Sequence, residues 1–402
     1  MELHDRPRYT DKLSEYLTKG LIIALTGQRR VGKSCIIKLI INKLKDNPNN
    51  NIIYINKEKS DFDNIVSNVE FGEYINAKLQ KGKQNFLFVD EVQNIKKFEL
   101  TLRSLQADNE CHIMITGSNA KMFSSELATY LSGRYIEFHI QSLSYQEFLD
   151  FHGLQNGEDS LLKYLDYGGL PQLSALNISN NELIDSYLQD VFSTIVLKDI
   201  VERREIRNVT VLNNLISFIA NNIGKLISAN SIAKSIRQTY PSASASGILN
   251  YIEYLCNAFI INRVNRYDIR GKQIFENNDK FYFEDLGLRN ILTGHNHAKD
   301  IEKLIENAVY LHLKNLGYNV FVGQMYNSEI DFVAVKNSNP IYIQATYLLF
   351  SDETINREFG NLKMIKDNFP KYVVSMSPNF ANVSEEGIIH VHLLNFLEMK
   401  DL

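Results

Sequence analysis

Gly27-Gln28-Arg29-Arg30-Val31-Gly32-Lys33-Ser34 satisfies G-x-x-x-x-G-K-[ST] at every fixed position. The stretch follows an apolar run, Leu21 to Leu25, and precedes a segment, Cys35 to Leu44, whose apolar positions recur at helical spacing. Strand, glycine turn and helix in that order are the context a phosphate-binding loop requires. Glycines let backbone amides wrap phosphate oxygens, and the helix behind them points its N-terminus at the bound anion. Gly27, Gln28, Arg29, Arg30, Val31, Gly32, Lys33, Ser34 and Cys35 are therefore the candidate nucleotide-binding set. Lys33 is assigned to the β- and γ-phosphates and the Ser34 hydroxyl to Mg²⁺.

Three more short apolar runs follow, Ile52 to Ile55, Phe86 to Val89 and Ile113 to Thr116, separated by segments of helical character. Buried parallel strands with crossover helices fit this pattern. Asp90 and Glu91 come directly after the second run, placing two carboxylates at a strand's C-terminal edge. Beside an intact glycine loop this reads as a Walker B pair, with Asp90 holding the magnesium shell and Glu91 polarising the attacking water. Ser118 and Asn119 end the third run, where a polar side chain can orient water or cap the next helix. Arg134 fits an arginine finger, in cis or across a subunit interface, and equally a plain salt bridge. A trans role would require at least a dimer. Arg29 and Arg30 fit contacts to phosphate or to an acidic partner, and a solvated surface equally.

Outward from this region the chain is too long for a single core: its 402 residues lead us to expect two or three domains. The stretch from Leu143 to Leu197 is helical in pattern, broken at Gly168-Gly169-Leu170-Pro171, and reads as a helical lid or linker. Residues 208 to about 285 read as three helices followed by two β-rich runs, which is winged-helix order. From about 300 the pattern is a small α/β domain.

Within that last domain Glu306 falls on a helix, Asp331 opens a strand and Gln344 ends the next. Restriction-endonuclease-type nucleases use helix Glu, strand Asp and then E-x-K. Gln344-Ala345-Thr346 at the third place substitutes an amide for a metal-binding carboxylate and a threonine for the lysine. The fold is expected to be kept and cleavage lost, with an ATP-regulated metal-dependent nuclease, or a non-hydrolysing nucleotide-gated DNA- or protein-binding module, as the alternatives.

With 43 basic against 47 acidic residues and a formal charge of −4, the whole molecule is not the basic body expected of a non-specific nucleic-acid binder. Lys225, Lys234, Arg237, Arg263, Arg266, Arg270 and Lys272 nevertheless decorate the winged-helix region, where they suit a phosphate backbone. The Tyr240 to Tyr254 segment, nearly free of Arg and Lys, weakens base readout. Double-stranded DNA or a protein is the expected partner there. Three scattered cysteines, Cys35, Cys111 and Cys256, give neither a disulfide framework nor a zinc site. No run of about 18 apolar residues occurs, so a cytoplasmic protein without a membrane partner is expected.

These residues together resemble, end to end, prokaryotic AAA+ type ATPases that join a P-loop domain to a C-terminal domain of unknown function. The resemblance rests on the loop 27 to 34, Asp90-Glu91-Val92-Gln93, Thr116-Gly117-Ser118, Ser132-Gly133-Arg134, Leu143-Ser144-Tyr145-Gln146-Glu147-Phe148, Gly168-Gly169-Leu170-Pro171 and the Asn307 to Tyr347 stretch. It implies ATP binding and hydrolysis, a middle winged helix and an often degenerate nuclease-like end. Cys35, where threonine is frequent, is a tolerable departure; Gln344 and Thr346 are the departures that matter. The expected architecture is thus α/β. A parallel-sheet ATPase domain at 1–142 leads into a helical lid at 143–207, a winged helix at 208–290 and a restriction-endonuclease-like domain at 300–402.

Overall fold

The computed structural model describes residues 3–120, 131, 133–206, 208–241, 243–295, 297–378 and 384–402. It divides into two units, one comprising 1–141 with Asn257–Phe259, the other 142–256 with 260–402.

The first unit is a parallel five-stranded sheet. Its strands are β1 (Ile22–Thr26), β2 (Asn50–Asn56), β3 (Gln84–Asp90), β4 (His112–Thr116) and β5 (Tyr135–His139), in the order β2-β3-β4-β1-β5. All four pairings are parallel, so the C-terminal ends of β1, β3 and β4 share one edge. Helices α1 (Pro7–Tyr16), α2 (Lys33–Leu44), α3 (Asn68–Asn76) and α4 (Phe98–Ala107) accompany the sheet. Every residue of β1 is buried, as a central strand covered on both faces demands. Ile22, Ala24, Ile53, Ile55, Leu87, Val89, Ile113 and Ile115 join Phe71, Ile75, Phe98 and Leu102 of α3 and α4 in one apolar cluster. Strand β5 was not among the expected runs: Tyr-Ile-Glu-Phe-His is a half-buried edge strand without a continuous apolar signature.

The second unit begins with helices. In Leu143 to Phe148, Ser144 caps the helix Tyr145–His152, accepting from Glu147 N at 3.3 Å while Glu147 returns a bond to Ser144 N at 2.9 Å. The reciprocal pair satisfies two donors that the first turn would otherwise leave open. The helix Glu158–Tyr167 stops at Gly168, whose φ is 72°. A side chain there would meet Asp285 Oδ1 at 2.4 Å, and Gly169 N donates to Asp285 Oδ2 at 2.9 Å. The glycine pair thus lets the chain close onto the residue that caps the helix Leu286–Asn290. The end of the helical run expected through Leu197 is an α-helix over Asn181–Thr194 that widens into a π-helix over Ile195–Glu202.

Helices Val209–Asn221, Ala229–Arg237 and Ala245–Asn257 come next, then the antiparallel hairpin β6 (Ile261–Asp268) and β7 (Gln273–Phe283). The remaining strands are β8 (Asn319–Met325), β9 (Ser328–Lys336), β10 (Asn339–Ala345), β11 (Lys371–Ser375), β12 (Ser384–Glu385) and β13 (Ile388–His392). They form one eight-stranded sheet with the hairpin, ordered β12-β13-β11-β10-β9-β8-β6-β7. Strand β6 runs parallel to β8, with Arg266, Tyr267 and Asp268 opposite Val322, Gly323 and Gln324. A boundary between 290 and 300 therefore lies inside one sheet-bearing unit. Helix His297–Asn315 contributes Leu304, Ile305, Ala308 and Val309 to a core shared with Tyr282, Phe332, Ile343 and Val374.

Candidate functional site

The glycine loop leaves β1 at the C-terminal edge of the sheet and enters α2 through Gly32, which caps the helix at φ 98°. Gly27 has φ 138°, and a Cβ on it would lie 2.1 Å from the carbonyl oxygen of Ile140, so only glycine fits. Arg30 takes the left-handed region at φ 72° and is exposed, while Val31 is buried. Lys33, 4% exposed, donates from Nζ to the carbonyls of Gly27 at 2.8 Å and Gln28 at 2.9 Å. The amine is thereby curled over the loop, on neutral acceptors that a phosphate oxygen outcompetes. Ser34 and Cys35 occupy the first turn of α2, both half-buried; Gln28 is buried beneath the loop. Arg29 reaches Glu58 Oε1 at 3.2 Å.

Across the same edge, Asp90 ends β3 and is fully buried. Its Oδ1 accepts from the Thr116 hydroxyl at 2.6 Å and its Oδ2 from Tyr54 OH at 3.4 Å. Burial and the Asp90 charge both raise the Tyr54 phenol, keeping it a donor. The Thr116 hydroxyl in turn accepts from Glu91 N at 3.0 Å. Glu91 sits in the left-handed region at φ 54°, which turns its carboxylate off the strand direction. There Ser118 Oγ donates to Glu91 Oε2 at 3.2 Å and the Gln93 amide bonds the same oxygen. Asn119 is buried at this strand end, 4% exposed. The structure thus brings Lys33, Ser34, Asp90, Glu91, Ser118 and Asn119 to one edge of one sheet.

Arg134 is not brought there. It precedes β5, whose first residue Tyr135 pairs with Ile22 at the start of β1, and its own carbonyl accepts from Ile22 N at 2.9 Å. At roughly 3.3 Å of rise per residue the length of the strand separates it from the loop by about 15 Å. Of the alternatives open for Arg134, this placement speaks against the in cis arginine finger, because the exposed residue starts from the opposite edge of its own sheet. Ser132 lies outside the described residues.

Sequence reasoning missed Arg6. It is 3% exposed and its Nη1 donates to Val31 O and Gln141 O, both at 3.1 Å, tying the back of the glycine loop to the chain beyond β5. Tyr9 OH accepts from Gln141 N at 3.2 Å, and Arg6 lies 4.7 Å over the Tyr9 ring. Nothing local in Asp5-Arg6-Pro7-Arg8 announces this contact, because its partners are 25 and 135 positions away.

In the second unit, Glu306, Asp331 and Gln344 do converge, but not as a metal triad. Gln344 Oε1 accepts from Asp331 N at 2.7 Å and its Nε2 donates to Glu358 Oε2 at 2.8 Å. The amide therefore braces β10 against β9 and the helix Asp352–Lys363. Asp331 Oδ2 accepts from Ala345 N at 3.0 Å, and Glu306 Oε1 accepts from Tyr282 OH at 2.6 Å. Lys280, which sequence reasoning passed over, inserts its ammonium between the acids. Among the described residues no three acidic, histidine or cysteine side chains are disposed to hold a metal ion.

The basic residues expected to face a partner are partly engaged within the unit. Arg263 pairs with Asp279 at 2.5 Å and Arg237 Nε donates to Ala243 O at 2.5 Å. Arg266 and Arg270 lie over the rings of Phe275 and Tyr326, at 5.2 and 4.4 Å. No described helix is long and apolar enough to cross a membrane.

A parallel sheet with the glycine loop and the acidic pair on one edge defines a P-loop ATPase domain of the AAA type, and residues 19–149 match the family model of the AAA domain. Residues 158–299 match a domain of unknown function, DUF8612. An uncharacterized protein of Haemophilus influenzae is 31% identical over 98% of this chain and 98% of its own length. The uncharacterized protein MJ1544 of Methanocaldococcus jannaschii is 32% identical over 87% of this chain and 80% of its own. The chain belongs to the family of these relatives, with an AAA domain at its N-terminal end. Among solved structures, Cdc6p from Pyrobaculum aerophilum aligns at a TM-score of 0.35 and 13% identity, over 76% of this chain and 97% of that one. The RuvB branch migration motor of Thermotoga maritima aligns at 0.33 and 18%, over 66% and 91%. Likeness this slight carries no inference about activity.

Proposed function

We propose that the chain binds ATP with Mg²⁺ on the loop Gly27 to Cys35 and hydrolyses it. The observation that carries this reading is the bond series Asp90, Thr116, Glu91, Ser118 at the sheet edge that also presents Lys33. In this reading the loop amides and the N-terminus of α2 hold the phosphates, and the Lys33 ammonium leaves the Gly27 and Gln28 carbonyls for phosphate oxygens. Magnesium, held by the Ser34 hydroxyl and by Asp90 directly or through water, would supply charge neutralisation at the phosphates. Glu91, aimed by Ser118 and Gln93, takes the proton of the attacking water, with Asn119 orienting that water. Arg134 serves only a neighbouring copy's nucleotide. ATP state then controls the second unit, whose three helices and hairpin act as a winged helix toward double-stranded DNA or a protein.

ATP hydrolysis by the wild type, Lys33→Ala and Glu91→Gln, each with and without double-stranded DNA, tests this. Lys33→Ala is expected to lose ATP binding, and Glu91→Gln to bind ATP while turnover falls on the order of 10²- to 10⁴-fold. Unchanged turnover in Glu91→Gln would remove that residue from the mechanism. Folded wild type that fails to bind MgATP would end the proposal.

A further inference from the structure

We propose that the ammonium of Lys280 fills the position of a divalent cation in the nuclease-like acid cluster, so that an internal cation occupies the cluster and closes it to metal. The ammonium lies 2.8 Å from Glu306 Oε1, 2.7 Å from Glu329 Oε1 and 3.2 Å from Asp331 Oδ1. A lysine has three N–H donors and no acceptor; the ammonium donates to Glu306 Oε1 and Asp331 Oδ1, and Glu329 adds a third carboxylate in ion-pair contact. The acids come from two elements, the helix His297–Asn315 and strand β9, and both elements converge on the ammonium. The Lys280 side chain is 1% exposed, whereas those of Glu306, Asp331 and Glu329 are 14%, 16% and 40% exposed. The cation is thus the deepest member of the cluster, with the acids arranged around it.

Burial disfavours the charged amine, but the three carboxylates outweigh it and hold the ammonium well above the ordinary lysine range. Further donors engage oxygens of the same cluster. Tyr282 OH takes Glu306 Oε1, Ala345 N takes Asp331 Oδ2, and Gln344 has both ends of its amide engaged. A small divalent ion demanding near-octahedral oxygen geometry would have to displace a tethered ammonium and detach at least one of these bonds. Because Lys280 is carried on strand β7, the internal cation is present whenever the hairpin is folded, at any metal concentration. This inference concerns a site separate from the glycine loop and stands or falls without the ATPase reading.

The test is Mn²⁺ binding to the full chain without nucleotide, by electron paramagnetic resonance and calorimetry, on wild type, Asp331→Asn, Lys280→Ala and the Lys280→Ala/Asp331→Asn pair. Lys280→Ala is expected to gain one Mn²⁺ per chain that the added Asp331→Asn removes. Its thermal midpoint should fall in chelator and recover in Mn²⁺. Wild type is expected to show no Mn²⁺ signal that Asp331→Asn abolishes. Should Lys280→Ala fail to fold in chelator, Lys280→Ala/Glu329→Gln, with one uncompensated charge fewer, is read in the same way. A wild-type Mn²⁺ site lost in Asp331→Asn, Mn²⁺-dependent DNA cleavage lost in Asp331→Asn or Lys280→Ala, or no site gained on removing the amine, would each overturn the proposal.

Discussion

Thr116 shows what a single hydroxyl does at the proposed nucleotide site. It donates to Asp90 Oδ1 at 2.6 Å and accepts from Glu91 N at 3.0 Å, so it fixes a buried carboxylate and the backbone turn that aims the next one. Thr116→Val keeps the shape and removes both bonds. Leaving a buried carboxylate short of a donor costs about 1–3 kcal/mol. We expect a lower thermal midpoint and turnover reduced at least tenfold, with ATP affinity, set by the loop, nearly unchanged. Equal losses of affinity and turnover would show that Thr116 supports the fold rather than the geometry of the acid pair. Lys33, Asp90 and Glu91 were legible in the sequence because a contiguous motif and a strand end carry them. Arg6 and Lys280 were not, because what makes them matter is an acceptor 135 or 51 positions away.

At the scale of elements, helices with contiguous periodicity were legible to within a few residues. The Ser144 to Glu147 capping pair and the glycine pair at 168 and 169 also mark their turns in the sequence. The π-helix over Ile195–Glu202 and the edge strand β5 were hidden, since neither changes the local apolar pattern. His295 is another long-range element clamp. Its Nδ1 lies 2.5 Å from Asp166 Oδ1, joining the turn after Leu286–Asn290 to the end of Glu158–Tyr167. The bond from Asp166 raises its pKa against the opposing effect of burial. A histidine raised in the folded state contributes stability that is full below 6.5 and is lost as pH rises through the folded value. Denaturant midpoints should therefore decline across that window in wild type. In His295→Leu the decline should be shallower, and an identical slope would show that the clamp is not the titrating contact.

On the scale of the whole molecule, the sequence conveyed the N-terminal sheet and the order of the later elements, but not which strands would share a sheet. Register between distant strands is a tertiary choice, and the hairpin β6–β7 joins β8 rather than standing apart. Arg134 belongs to this scale too, since it lies at the sheet edge opposite its own glycine loop. If it completes a neighbour's site, turnover per chain should climb with protein concentration in wild type and stay flat in Arg134→Ala. Identical, concentration-independent rates in both would remove Arg134 from catalysis altogether.

The pairing of β6 with β8 also bears on how the polypeptide can be cut. A fragment ending near residue 295 would retain the three helices and the hairpin, yet it would bare the ladder groups of Arg266, Tyr267 and Asp268 that now face Val322, Gly323 and Gln324. An uncovered strand edge beside the exposed side chains of Ile274 and Phe275 is a template for pairing between molecules. Strand β8 thus covers the side of β6 that such a fragment would leave open to other chains.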